Sequence, residues 1–330
     1  MTTETVETET ELFPIPLAIM QPGTVAPVNI YIQVGDPPIF SLYKTAQTPL
    51  SEEVRDRLLQ RDVSQLYVRK EDEDQYLNYV EQNIDAIIRD DLLPPDKACQ
   101  IVYRGSSRVM VDVFDNPRSG QNLKRVQRMV EATVLSIMKH DDALWQMTSM
   151  ASHDYYTYTH CVNVGVFLVA ASKDLLGINQ ESSLQRIGLG GMLHDIGKSQ
   201  IPEEILNKPG KLDDEEFEKI KEHPVLGLEL VNKFRKLPGV AGAIVRGHHE
   251  HFDGTGYPDG LSGDRINRVV RLSTIIDVYD ALTTRRAYAD ARKPFEALEL
   301  MLTQMPEQFD KPLLKAFVKF LGPREVWAGS

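Results

Sequence analysis

Val28, Ile30, Ile32 and Val34 alternate with Asn29, Tyr31 and Gln33. That period of two is the mark of a strand with one buried face. Gly35-Asp-Pro-Pro38 is a turn, so Ile39–Lys44 reads as a second strand, and Leu66–Arg69 as a third. Ser51 caps a helix over 52–61, and Tyr76, Tyr79, Val80, Ile84, Ile87 and Ile88 give helical spacing over 72–91. Pro94-Pro95 breaks the pattern before a helical connector over 97–114, which the Asn116–Gly120 loop ends. From there the period is helical almost to the end. Leu123, Val126, Val130, Val134 and Ile137 form one stripe, and further helices are expected near 154–175, 181–195, 213–223, 239–249, 266–284, 294–304 and 310–321. The expected fold is α+β overall: a small N-terminal α+β module with its connector over 1–118, and an all-α domain over 119–330. Residues 1–12, acidic and polar, read as a disordered tail.

Hydrophobic residues are 42% and charged residues 26% of the 330, values of an ordinary globular chain. The net charge of −11 is uneven: residues 1–118 carry −9 and residues 119–330 only −2. This balance argues against a general binder of nucleic acid or anionic membrane. No apolar run approaches the roughly 18 residues of a membrane-spanning helix. The start lacks the basic and apolar regions of a signal peptide. Cys99 and Cys161 are far apart, without a CxxC pair, so neither a disulfide scaffold nor a cysteine-rich zinc site is expected. A reducing, cytoplasmic location is the expectation.

All eight histidines fall between 140 and 251, about a third of the chain. Histidine is the commonest metal ligand and the proton carrier nearest neutral pH. Several motifs carry them. In His194-Asp195-Ile-Gly-Lys198 both His and Asp can face one cation if the helix ends there; a capped helix end is the plainer explanation. His248-His249-Glu250 closes an apolar helix, where two adjacent histidines can ligand one metal only at a terminus, or two metals that bridge them. Asp253–Gly263 is rich in glycine, which suits tight loops and also lets backbone N–H groups reach phosphate. His160 lies on an apolar helix, His223 precedes Pro224, and Asp277 sits between Ile276 and Val278. A carboxylate in apolar surroundings is costly unless paired or bound to metal. Each residue alone has an ordinary structural explanation; five histidines and two aspartates from separate helices do not have one jointly.

Together with Lys208-Pro-Gly-Lys-Leu212, His223-Pro-Val-Leu-Gly227, Asp253-Gly-Thr-Gly-Tyr257-Pro258 and Asp277-Val-Tyr-Asp280-Ala-Leu282, these motifs resemble the HD-GYP family over roughly 120–305. This is a branch of the HD-superfamily metal phosphohydrolases that includes cyclic di-GMP phosphodiesterases. The resemblance implies the all-α HD fold for 119–330 and a regulatory or sensory role for 1–118. It implies metal ligation by His160, His194, Asp195, His223, His248, His249 and Asp277. Asp195 would bridge two ions, one held by His160, His194 and Asp277, the other by His223, His248 and His249. Some members bind a third ion through a Glu one turn before the first His; Tyr156 stands there, so two ions, iron or manganese, are expected. Two divalent ions roughly 3.5–4 Å apart can hold a bridging hydroxide and stabilise attacking and leaving oxygens. The implied reaction is hydrolysis of cyclic di-GMP to pGpG, with onward cleavage to GMP left open. Asp195 and Lys198 carry catalysis in this scheme. Lys198, Gly256, Tyr257 and Arg286 would contact substrate, Ala287 and Ala289 replacing the proline and the basic residue often found in the segment around Arg286.

Residues 264–293 carry a local net charge of +3, so an acidic chain can still offer a cationic cleft. His140, His153 and His251 fall outside the pattern, and Glu250 is expected to orient a histidine. Two other readings stand beside this one. One is a weakly active cyclic di-GMP sensor or docking module for diguanylate cyclases (GGDEF proteins). The other is an HD phosphohydrolase acting on mononucleotides. A homodimer through the 121–139 stripe is an option beside plain packing of that stripe within the domain.

Overall fold

The computed structural model describes residues 5–6, 11–35, 39–149, 157–233, 236–237, 239–284 and 291–322. Contacts divide the chain into two compact units, Met1–Gly105 and Ser106–Ser330.

The first unit holds strands β1 (Thr5–Val6), β2 (Leu12–Pro16), β3 (Ile30–Val34), β4 (Ile39–Lys44) and β5 (Gln65–Arg69), with helices α1 (Glu52–Leu59), α2 (Glu73–Gln82) and α3 (Ile84–Arg89). The strands form one antiparallel sheet in the order β1-β4-β3-β5-β2. Leu12, Tyr31 and Phe40 are buried together on it, with Leu42 and Tyr67 packed against them. The tail expected over 1–12 is corrected at two points: Thr5–Val6 pairs with β4, and Leu12 opens β2. Phe13-Pro-Ile-Pro16 does not look like a strand because proline cannot donate to a ladder, but β2 lies at the sheet edge, where proline is tolerated. The single helix expected over 72–91 is two. Asn83 interrupts it, its side-chain amide donating to the Tyr79 carbonyl at 2.8 Å in competition with the backbone.

Helix α4 (Pro95–Asp115) follows, and the division between the units falls inside it. The boundary expected at 118/119 follows the next loop; a continuous helical period hides a division that contacts reveal.

The second unit continues with α5 (Gly120–Lys139), α6 (Ala143–Thr148), α7 (Thr157–Leu176), α8 (Glu181–Leu193), a 3-10 turn (Ile196–Gln200), α9 (Glu203–Leu206), α10 (Asp214–Ile220), α11 (His223–Asn232), α12 (Gly239–Gly247), α13 (Arg268–Thr283), α14 (Pro294–Thr303) and α15 (Lys311–Leu321). Helix α7 is buried on all sides from Thr159 to Ser172 and packs against α5, α6, α8, α13 and α15. A helix apolar all round belongs at the centre of its domain. The apolar stripe of α5 is spent on α8, α7 and α6. The helix expected over 213–223 ends at Ile220, and His223 opens α11 instead. Pro224 is the reason: proline in the first turn marks a helix start rather than a stop. No helix of the described residues is long and apolar enough to cross a membrane.

Candidate metal centre

Seven side chains converge from five places in the second unit. His160 comes from the first turn of α7, His194 and Asp195 from the end of α8, and His223 from the first position of α11. His248 and His249 follow α12, and Asp277 lies in α13. Six of them are 0–6% exposed, and His249 is half-buried. The convergence depends on a glycine. A Cβ on Gly197 would lie 1.9 Å from the His223 carbonyl oxygen and 2.6 Å from the Gly227 nitrogen. Only glycine lets the 3-10 turn after Asp195 rest on the first turn of α11.

Backbone carbonyls fix three of the imidazoles. His194 Nδ1 lies 2.7 Å from the Gly191 carbonyl, His223 Nδ1 2.7 Å from that of Ile220, and His248 Nδ1 3.0 Å from that of Val245. A carbonyl only accepts, so Nδ1 carries the proton in each and Nε2 turns its lone pair inward. The inward nitrogens meet closely: His194 Nε2 is 3.2 Å from His160 Nε2, and His223 Nε2 is 3.2 Å from His248 Nε2. His160 stands between carboxylates, Nε2 2.9 Å from Asp277 Oδ1 and Nδ1 2.7 Å from Asp280 Oδ2.

Asp195 faces both ways. Oδ2 lies 3.4 Å from His194 Nε2 and 3.8 Å from His160 Nε2, and accepts from Lys198 Nζ at 2.6 Å. Oδ1 lies 3.2 Å from His223 Nε2 and 3.8 Å from His248 Nε2. Because the His223 proton is on Nδ1, no donor among the described residues reaches Oδ1, a buried polar atom without a hydrogen bond. A buried carboxylate oxygen facing imidazole lone pairs is the arrangement a cation satisfies. Two donor sets have ligand atoms within 4.8 Å of one another: Asp195 with His223, His248 and His249, and His160 with His194 and Asp277. Such mixed nitrogen and oxygen sets can hold metal ions.

Burial alone would raise the Asp195 carboxyl, but the Lys198 ammonium holds it well below the usual carboxylate range. Asp277 is likewise opposed by burial and held low by the His160 hydrogen bond and by His249. Burial pushes His248 well down, and His249 down to about 3 against the pull of Asp277. Asp195 and Asp277 are therefore ionised and His248 and His249 neutral, the protonation states that ligate metal. The Cys161 sulfur also lies within reach of His194 and Asp195, but burial holds its thiol protonated, well above its ordinary pKa.

The glycine-rich loop lies over this cage. A Cβ on Gly256 would lie 2.3 Å from the His251 nitrogen and 2.4 Å from the His249 carbonyl, so only glycine fits. Tyr257 follows, its N–H donating to the His249 carbonyl at 3.1 Å and its ring 4.7 Å from that of His249. Burial raises the Tyr257 phenol above its ordinary pKa, so it stays a donor. Glu250, expected to orient a histidine, does something else. Its carboxylate accepts from the Asp259 N–H at 2.7 Å and the Leu261 N–H at 2.8 Å, pinning the loop. Adjacency to the histidine pair misleads here because the buried carboxylate turns toward unpaired loop amides.

All seven expected ligands are brought together, with Lys198, Gly256 and Tyr257 beside them. Arg286, Ala287, Ala289, His153 and Tyr156 lie outside the described residues. His140 is the C-cap of α5, and His251 Nδ1 bonds Thr255 Oγ1 at 3.0 Å, both apart from the cage. Asp280 and Asn163 were not expected, although each sits three residues after an expected ligand, on the same helix face.

The HD domain family matches residues 160–313. A cyclic di-GMP phosphodiesterase of Pseudomonas aeruginosa is 35% identical over 221 residues, covering 66% of this chain and 53% of that protein. A 3'3'-cGAMP-specific phosphodiesterase of Vibrio cholerae is 39% identical over 140 residues, 42% of this chain and 27% of that protein. The chain thus spans about half or less of these curated relatives. A solved structure described as an HDG"Y"P protein from Bdellovibrio bacteriovorus superimposes with a TM-score of 0.64 at 21% identity, over 94% of this chain and 99% of that one, which shows a shared fold. The segment from His160 to Leu313 matches the HD domain family, and the chain shares its fold with the HDG"Y"P protein.

Proposed function

We propose that this chain hydrolyses cyclic di-GMP to pGpG at a centre of two divalent ions. The observation that carries the reading is Asp195, whose two oxygens face two separate donor sets. His160, His194 and Asp277 would hold one ion and His223, His248 and His249 the other, with Asp195 shared. Iron or manganese suits such mixed donors. When bound, the pair supplies Lewis acidity toward phosphate oxygens and a nucleophile at neutral pH.

The chain's own residues do the rest. The carbonyl-fixed histidines keep their lone pairs aimed inward, so the cage needs little rearrangement. Lys198 neutralises Asp195 at 2.6 Å and is 22% exposed, close enough to the surface to share its charge with a phosphodiester. Tyr257 and the backbone at Gly256 form the wall on the His249 side. Arg286 is assigned the phosphate or guanine contact. Residues 1–118 are assigned a regulatory role. A cytoplasmic location goes with the reading, since Cys99 and Cys161 are buried outside any disulfide, as in a reducing compartment.

The 39% identity to a 3'3'-cGAMP-specific enzyme supports a second reading, in which the preferred substrate is the mixed guanine–adenine dinucleotide. One anaerobic assay tests both. Protein loaded with iron or manganese is given each dinucleotide, and linear products are separated by chromatography beside Asp195→Ala. The proposal expects pGpG from the wild type and a loss of about a thousandfold or more in the variant. Faster turnover of 3'3'-cGAMP favours the second reading. Binding of cyclic di-GMP without turnover in either metal would make the chain a sensor instead.

A further inference from the structure

His160 differs from the carbonyl-fixed imidazoles in what holds its outer nitrogen. His194, His223 and His248 each give Nδ1–H to a neutral carbonyl of the preceding turn. His160 Nδ1 instead lies 2.7 Å from Asp280 Oδ2, a carboxylate only 3% exposed. Asp280 is held in turn. Asn163 Nδ2 donates to its Oδ1 at 3.0 Å, and Thr284 Oγ1 lies 3.4 Å from its Oδ2. Asn163 is one turn after His160 on α7, and Asp280 one turn after Asp277 on α13. The contact therefore closes two helices on each other at the centre.

A carboxylate that accepts Nδ1–H leaves Nε2 able to give its lone pair to an ion and makes the ring a stronger electron donor than a neutral carbonyl does. The two donor sets thus differ in charge. The His160 set contains the Asp277 carboxylate and is backed by Asp280. The opposite set offers three imidazoles. Asp195 is shared by both and is partly offset by Lys198. Asp277 leans to the His160 side, Oδ1 lying 2.9 Å from His160 Nε2 against 3.6 Å from Oδ2 to His249 Nδ1, and Asp280 touches His160.

We infer that Asp280, held by Asn163, is a positioning residue that makes the His160–His194–Asp277 position the tighter of two unequal ion sites, the first filled and the last emptied. This rests on the two-ion reading above, and its test needs no substrate.

The full chain is stripped of metal with a chelator and titrated with Mn2+, with free Mn2+ followed by electron paramagnetic resonance. The wild type should bind two ions in distinguishable steps. Asp280→Asn should weaken the tighter step about 10–100-fold and leave the weaker step within about threefold. Asn163→Ala, which leaves the carboxylate in place but loosens it, should weaken the same step less. If Asp280→Asn fails to fold by circular dichroism, Asn163→Ala alone decides. Two equal steps in the wild type, or variants that weaken both steps alike or neither, overturn the inference while the two-ion reading survives. A wild type that binds no Mn2+ overturns both.

Discussion

Asp195, Asp277, His248 and His249 make the metal-free centre sensitive to acid, and the sign is the same for all four. Each histidine is held below its ordinary value of 6.5, His249 at about 3, so the unfolded chain takes up a proton that the folded chain refuses. Stability from this source is complete above about pH 6.5 and falls as pH drops toward 3. Each aspartate is held well below 3.8, so its contribution is present above that value and is lost only in stronger acid. Urea unfolding of the metal-free protein should therefore show stability falling between pH 6.5 and 4. The slope should be at most about 1.4 kcal/mol per pH unit for each histidine. A flat profile there would mean that the imidazoles are not held neutral. Most of these residues were legible in the sequence because their motifs join unusual residue types at short range. The role of Asp280 was not, since its partner His160 is 120 residues away.

Two elements deserve direct tests. The 3-10 turn after Asp195 lies so close to α11 that Gly197→Ala has no relaxed solution: the nearest atoms are backbone, not the end of a side chain that can swing aside. We expect a loss of roughly 3–5 kcal/mol in urea unfolding, the range of the most damaging point changes. A loss below about 1 kcal/mol would refute the close approach. The glycine-rich loop depends on Glu250. Glu250→Ala leaves the Asp259 and Leu261 amides without their carboxylate acceptor. Hydrogen exchange over 253–263 should quicken about tenfold or more, while α13 keeps its protection; unchanged loop exchange would show that the carboxylate is dispensable. Helices were the most legible elements. Their apolar period survives in α7, α8, α12, α13 and α15 within a few residues of the expected ends. Edge strand β2, the break at Asn83 and the start at His223 were missed. In each, one residue type carries opposite meanings in different settings, and only pairing or packing decides between them.

At the scale of the whole molecule, the centre ties together α7, α8, α11, the turn after α12, and α13. Binding to the folded state alone stabilises by mass action, about 2.7 kcal/mol for one ion at a hundred times its dissociation constant. For a unit of this size, chelation should lower the midpoint of thermal unfolding by roughly 5–10 °C, and added Mn2+ should restore it. Calorimetry with and without chelator measures this directly; coincident transitions would show that no ion had been bound. The order and spacing of the motifs made this centre legible as a set. The division inside α4 was not legible, because it is a property of contacts and leaves the helical period untouched.

His160 and Asp277 stand 117 positions apart, yet they touch. The ribosome makes α7 long before α13. A nascent chain therefore carries all five imidazoles of the cage before the carboxylate that completes it exists. In the two-ion reading, the His160 position is completed only once residue 277 has been made. Until then those histidines can bind whichever cation the cell leaves free. In that reading, the metal loaded would depend on the composition of the cell at that moment as well as on the geometry of the cage.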